Sequence, residues 1–189
     1  MAVTTDILAS YRRPRRVFAG IRARGGGERL ALVYLMAAMV LGFVSQLPSV
    51  QRRSILPAPE LEAAIRAESA DVRPIEGLDV PANMVDAKFQ ALMSAELVVW
   101  FLILPLAFYL LALVGYGLAR LLGVRLSGLD ARLALFWALL AAIPLKLLHG
   151  LVAGLIGAGA AQTTVGILWL VVFLWFWISN LREAGQGAA

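Results

Sequence analysis

The sequence predicts an all-α fold, a polytopic transmembrane helical bundle with four spans and an N-terminal amphipathic interfacial helix. Three observations predict it. Apolar residues make up 61% of the chain and charged residues only 15%, where a soluble domain carries about 25% charged residues. Four mostly apolar stretches fall at 30–47, 95–119, 132–157 and 163–181. Each is long enough, at about 1.5 Å per helical residue, to cross a hydrocarbon core of roughly 30 Å. The Lys and Arg residues also alternate in density from one inter-span segment to the next. A different division of residues 133–181 gives five spans as the alternative.

Residues 1–28 form a basic segment. Pro14 is suited to the first position of a helix. Behind it, Val17, Phe18 and Ile21 recur at helical spacing, with Arg15, Arg16, Arg22 and Arg24 mostly on the other side. That pattern predicts a helix lying in the membrane surface, its apolar face among lipid tails. Arg12, Arg13, Arg15, Arg16, Arg22 and Arg24 are then the candidates for anionic headgroups. Gly25, Gly26 and Gly27 end the helix as a hinge.

The transmembrane domain covers residues 29–181. Its first span, 30–47, is uncharged for 18 residues. That is longer than the apolar region of a secretory signal, and no small-residue cleavage site follows it. Residues 48–92 change character, with five prolines and seven acidic residues against five basic ones. They read as a hydrated external loop containing a short helix over 59–71. Residues 86–92 read as a watery extension of the second span. That span is uncharged from 97 to 119 and carries Pro105 inside it. The third span carries Pro144, and residues 158–162 make a short connection to the fourth. A proline inside a helix leaves a carbonyl without its donor and kinks the axis. The two kinks are expected to curve the bundle. Residues 182–189 form a tail.

Eleven Lys and Arg residues lie on the side of the N-terminus, the middle turn (Arg120, Arg125, Arg132) and Arg182, against five in the external loop. The positive-inside rule therefore places both termini in the cytoplasm, for a multi-pass protein of a bacterial inner (plasma) membrane. Trp137, Trp175 and Trp177 fall near the predicted inner interface, and Trp100 near the outer one.

Lipid tails are as apolar as leucine, so spans associate by close packing and polar contacts. Ala134, Ala138, Ala142, Gly150 and Gly154 supply a small-residue stripe for that in the third span. Glu96, Lys146 and His149 are the ionisable residues at membrane depth. Such residues are costly and mark candidate sites; Lys146 and His149 share a helix face, and Glu96 starts the second span on the same outer side. They form a candidate intramembrane polar cluster.

The chain has no cysteine and one histidine. That excludes disulfides, thiolate catalysis and Cys-ligated metals. No phosphate-binding loop, nucleophile elbow or zinc-protease motif is present, so neither an enzymatic activity nor a cofactor is expected. The net charge of +5 sits beside apolar segments without a nucleic-acid fold motif, so no nucleic-acid partner is expected.

Three segments are similar to the bacterial branch of the Yip1 family. They are Tyr11-Arg12-Arg13-Pro14-Arg15-Arg16-Val17-Phe18 before the first span, Leu104-Pro105-Leu106-Ala107-Phe108-Tyr109 in the second, and residues 131–148 (ARLALFWALLAAIPLKLL) in the third. The resemblance implies a membrane domain with no catalytic residues to carry over. The chain departs from the family in reading as four spans where five are usual, and in its acidic loop at 48–92. The functional expectation is a non-enzymatic scaffold or accessory subunit, packed against other membrane proteins or against itself. The alternative is a small transporter or channel using the kinked helices and Glu96, Lys146 and His149.

Overall fold

The computed structural model describes residues 3–25, 27–71 and 83–186. Gly26 of the hinge, residues 72–82 of the external loop (with Arg73, Pro74 and Pro81) and tail residues 187–189 lie outside the described residues. Within them the fold is all-α, with no strand assigned. Helix α1 spans Val3–Ser10 and α2 spans Pro14–Ala23. Helix α3 is Gly27–Ile55, α4 Pro59–Asp71 and α5 Met84–Leu121. Helices α6 (Gly128–Ala141) and α7 (Ile143–Leu155) precede α8 (Ala160–Gln186).

Helices α3, α5 and α8 are each long and apolar enough to cross a bilayer. The pair α6 and α7 is a fourth if taken as one span, bent by 46°. Successive long helices run in alternate directions, so α2, the turn before α6 and the end of α8 meet at one end of the bundle. The α4 segment and the α7–α8 turn lie at the other.

The two prolines act differently. Before Pro105, residues Val99–Ile103 form a π-helical turn. The wider turn takes up the missing donor, and α5 continues to Leu121. At Pro144 the chain breaks instead. The Ala142 carbonyl accepts from both Leu145 and Lys146 N–H groups, and α7 starts on a new axis. The turn after α7 needs Gly157 at φ 96°, a conformation that disfavours side chains.

Helix α6 is the axis of packing. Every residue from Leu133 to Ile143 is buried, across α6 and the bend. A helix apolar all round belongs inside a bundle, and α3, α5 and α8 surround this one. A capping box starts it, the Ser127 hydroxyl accepting from the Asp130 N–H while the Asp130 carboxylate accepts from the Ser127 N–H. By contrast only 11% of the apolar window of α5 is buried, leaving Leu102, Leu106, Leu110 and Leu113 exposed on the outside of the bundle.

Several expectations change. The first span does not stop at 47: α3 passes through Pro48 to Ile55, so residues 48–55 are helix rather than hydrated loop. The α2 helix is amphipathic, but Phe18 and Ile21 are fully buried in the bundle core rather than among lipid tails. Protein side chains at the ends of α6 and α8 complete its apolar face, leaving lipid no access there. Trp137 is likewise a core residue, its ring against Tyr34 and its Nε1 donating to Ser10 Oγ at 3.3 Å, not part of an interfacial belt.

Candidate functional site

Two polar regions stand out, one at each end of the bundle. The first is a basic cap. Buried Phe18 and Ile21 fix the rotation of α2 on the bundle, and Arg22 locks it, Nε donating to Asp130 Oδ1 at 2.8 Å. Arg24 pairs with Asp6 of α1 at 2.8 Å, so α1 and α2 hold together as one unit. Between them lies a groove of about 920 Å³, lined by Arg12, Arg13, Arg16 and Arg24 with Asp6 and Gly20. Arg12, Arg13, Arg15 and Arg16 are exposed and free of ion pairs to described residues. Of the six arginines expected to meet headgroups, Arg22 and Arg24 are held inside the chain by Asp130 and Asp6. Arg120, Arg125 and Arg182 border two shallow pockets at the same end, and Arg132 pairs with Glu28 at 2.7 Å.

The second region is at the opposite end, where α3, α5, α7 and α8 meet. The π turn of α5 carries Trp100 against Gly42 of α3, where even a Cβ would overlap the ring. Glu96, one turn earlier, has both carboxylate oxygens engaged. Oε1 accepts from Arg53 at 2.7 Å and Oε2 from Trp100 Nε1 at 3.1 Å. Lys146 does not pair with Glu96. Its Nζ stands 5.7 Å from the ring centroids of Trp100 and of Trp169, a cation between two aromatic faces. His149 packs beside Gly166, with its Nδ1 buried and unpartnered among the described residues. The structure thus brings Glu96, Lys146 and His149 to one region, but Trp100 stands between Glu96 and Lys146.

Glu96 and His149 line a cavity of about 360 Å³ together with Gln46, Arg52, Arg53 and Gln162. Arg52 Nη1 donates to the carbonyls of Gly154 and Leu155 at 3.4 and 3.3 Å, capping the C-terminus of α7 where the helix dipole is negative. Nearby, Lys88 is buried and ties α5 to the chain after α3, donating to Leu56 O at 2.9 Å and Glu62 Oε1 at 3.0 Å. That hydrogen bond, with a second from the Ala58 N–H, holds the Glu62 carboxyl below its ordinary range.

The sequence does not mark Arg52, Arg53, Trp100 or Trp169 as members of this site. In the sequence Arg52 and Arg53 count only as topology charges, and nothing local marks a partner 43 or 102 residues away. The small-residue stripe is consumed internally. Ala134, Ala138 and Ala142 are fully buried, Gly150 lies on the Ser45 backbone, and Gly154 lies on Pro48. It packs α6 and α7 against the rest of this chain.

Fold and site together define a multi-pass helical membrane protein. No family model matches the chain, and no curated protein or solved structure is found similar to it. Among the described residues no group of acidic and histidine side chains is arranged to hold a metal ion.

Proposed function

We propose that this chain is a non-enzymatic scaffold or accessory subunit of a bacterial inner membrane, both termini cytoplasmic, engaging its surroundings through the basic cap. One observation carries the reading: Phe18, Ile21 and the Arg22–Asp130 pair pin the arginine-bearing helix to the bundle. A basic tail that only sets topology has no need of a docked helix. Docked, the helix presents Arg12, Arg13, Arg15 and Arg16 as a fixed surface for anionic lipid headgroups, or for acidic side chains of a neighbouring membrane protein. The cap also shares its end with Arg120, Arg125 and Arg182, which supports a cytoplasmic orientation for that whole face.

The small-residue stripe no longer supports self-assembly, since its glycines face α3. The transporter reading is weakened by the solid packing of residues 133–143 through the bundle centre, and by the engagement of Glu96 and Lys146. Kinship with the Yip1 family rests on the three sequence segments alone.

The test is a pair of N- and C-terminal topology reporters on the full chain, followed by crosslinking and gentle-detergent purification. Both reporters cytoplasmic, with a co-purifying membrane protein or retained anionic lipid lost on replacing Arg12, Arg13, Arg15 and Arg16 by glutamine, supports the reading. An external reporter, or purification unchanged by those substitutions, overturns it.

A further inference from the structure

We propose that the cavity at the end opposite the basic cap is a binding site for a small organic carboxylate, held by Arg52. The argument begins with charge. Arg53 and Glu96 neutralise each other at 2.7 Å. Lys146 is occupied by Trp100 and Trp169. Arg52 is different: among the described residues no carboxylate lies within ion-pair distance of it. Among the described residues its hydrogen bonds are two long contacts to helix-end carbonyls, at 3.3 and 3.4 Å, both from Nη1. A guanidinium has five donors in a planar fork, so most of this one's capacity is unused.

The fork is also seated. Its plane lies against Gly157, where a Cβ would stand 2.8–2.9 Å from Nη2, Cζ and Nε. Glycine at that turn therefore gives Arg52 a rest as well as the turn its φ. A fixed, singly charged fork beside a cavity matches the two coplanar oxygens of one carboxylate. The rest of the cavity suits an organic skeleton. Gln46 and Gln162 offer side-chain amides, Ser49 a hydroxyl, and Leu56 and Ala153 an apolar wall, while the Glu96 carboxylate in the same lining has both oxygens taken within the chain. The cavity, about 360 Å³, falls in the size range of small-molecule sites. This inference is independent of the basic cap and stands or falls separately from it.

The experiment uses the full chain in phosphatidylcholine nanodiscs, probed with acetate, L-lactate and L-glutamate by saturation-transfer NMR against empty discs. The amides of the first two acids serve as uncharged controls. Saturable transfer to at least one carboxylate, and none to the amides, is expected. Arg52→Gln should weaken it about tenfold or more, Arg52→Lys less, since the charge remains without the fork. Gln162→Leu, which leaves every contact of Arg52 intact, should weaken it about threefold, a fraction of a charge-assisted bond. No transfer to any of the three acids in the unaltered chain overturns the proposal, as does equal transfer to acids and amides. So does Arg52→Gln binding as tightly as the parent. Where Arg52→Gln fails to fold, the acid–amide comparison and Gln162→Leu decide.

Discussion

Gly154 of α7 lies directly on Pro48 of α3, so close that a Cβ on the glycine would overlap the proline ring and its carbonyl carbon. One turn away, Gly150 meets the backbone carbonyl of Ser45 in the same way. Helices without a hydrophobic drive between them gain most from such close backbone approach. Both glycines of the small-residue stripe therefore serve one intramolecular seam.

Gly150→Ala should accordingly destabilise the bundle, because the atom it strikes is backbone and cannot rotate away. Overpacking of this kind costs about 1–3 kcal/mol. Gly117 of α5 has nothing within 4 Å of its Cβ position. Gly117→Ala should instead be neutral or stabilising by up to roughly 1 kcal/mol, as helical glycine gives way to alanine. Unfolding both variants in a mixed-micelle titration separates the cases, and equal effects would show that the seam is not tight.

Arg22 and Asp130 are 108 residues apart in the chain and half-hidden from water. Arg22→Ala should cost about 1 kcal/mol and speed hydrogen exchange over residues 14–23, with the rest of the bundle unchanged. Asp130→Asn should cost more, since Asp130 also closes the capping box with Ser127. If exchange over 14–23 is equally slow without Arg22, the apolar face alone holds the cap.

Spans and their alternation were readable because hydropathy is written locally, and the basic segment because arginines cluster near Pro14. The amphipathic helix was legible too, though not what would cover its apolar face. Phe18 and Ile21 look the same in sequence whether lipid or protein receives them. The same limit applied to the polar cluster. Membrane depth singled out Glu96, Lys146 and His149, but Arg53 of α3 pairs with Glu96, and Trp100 of α5 and Trp169 of α8 face Lys146; of these contacts only Glu96–Trp100, four residues apart, is local. The π turn before Pro105 and the break at Pro144 also diverge from a common signal, one proline inside one apolar run. Their surroundings differ: the wider turn carries Trp100 against Gly42, while Lys146, just after the bend at Ala142, faces the two indoles.

Glu62 gives the α4 segment an acid-sensitive tie. Hydrogen bonds from buried Lys88 and from the Ala58 N–H lower its folded pKa. A lowered folded pKa means the stabilisation is fully present above the ordinary carboxylate value and disappears as pH falls through the depressed one. Hydrogen exchange over residues 59–67 should therefore stay slow at neutral pH and rise only below the usual glutamate range. Lys88→Met should shrink that acid step, the Ala58 bond remaining, and raise exchange at neutral pH as well. An unchanged acid step in Lys88→Met would assign it to another carboxylate.

Lys146 sets two physical terms against each other. Its charge at membrane depth is costly, and Glu96 is already neutralised by Arg53 at 2.7 Å. The Trp100 and Trp169 faces, each 5.7 Å away, return about 0.5–2 kcal/mol apiece. Lys146→Met keeps the side chain's length and removes both terms, so stability should change by less than about 1.5 kcal/mol. Trp169→Leu removes one ring and leaves the cation, and should cost about 2–4 kcal/mol. In the double variant the lost ring no longer faces a charge, so the two effects should fall short of additive by about 0.5–2 kcal/mol. A double-mutant cycle measures that coupling directly. A coupling of zero would make the indoles mere packing around an aliphatic stem; a positive one shows that they hold the ammonium in place.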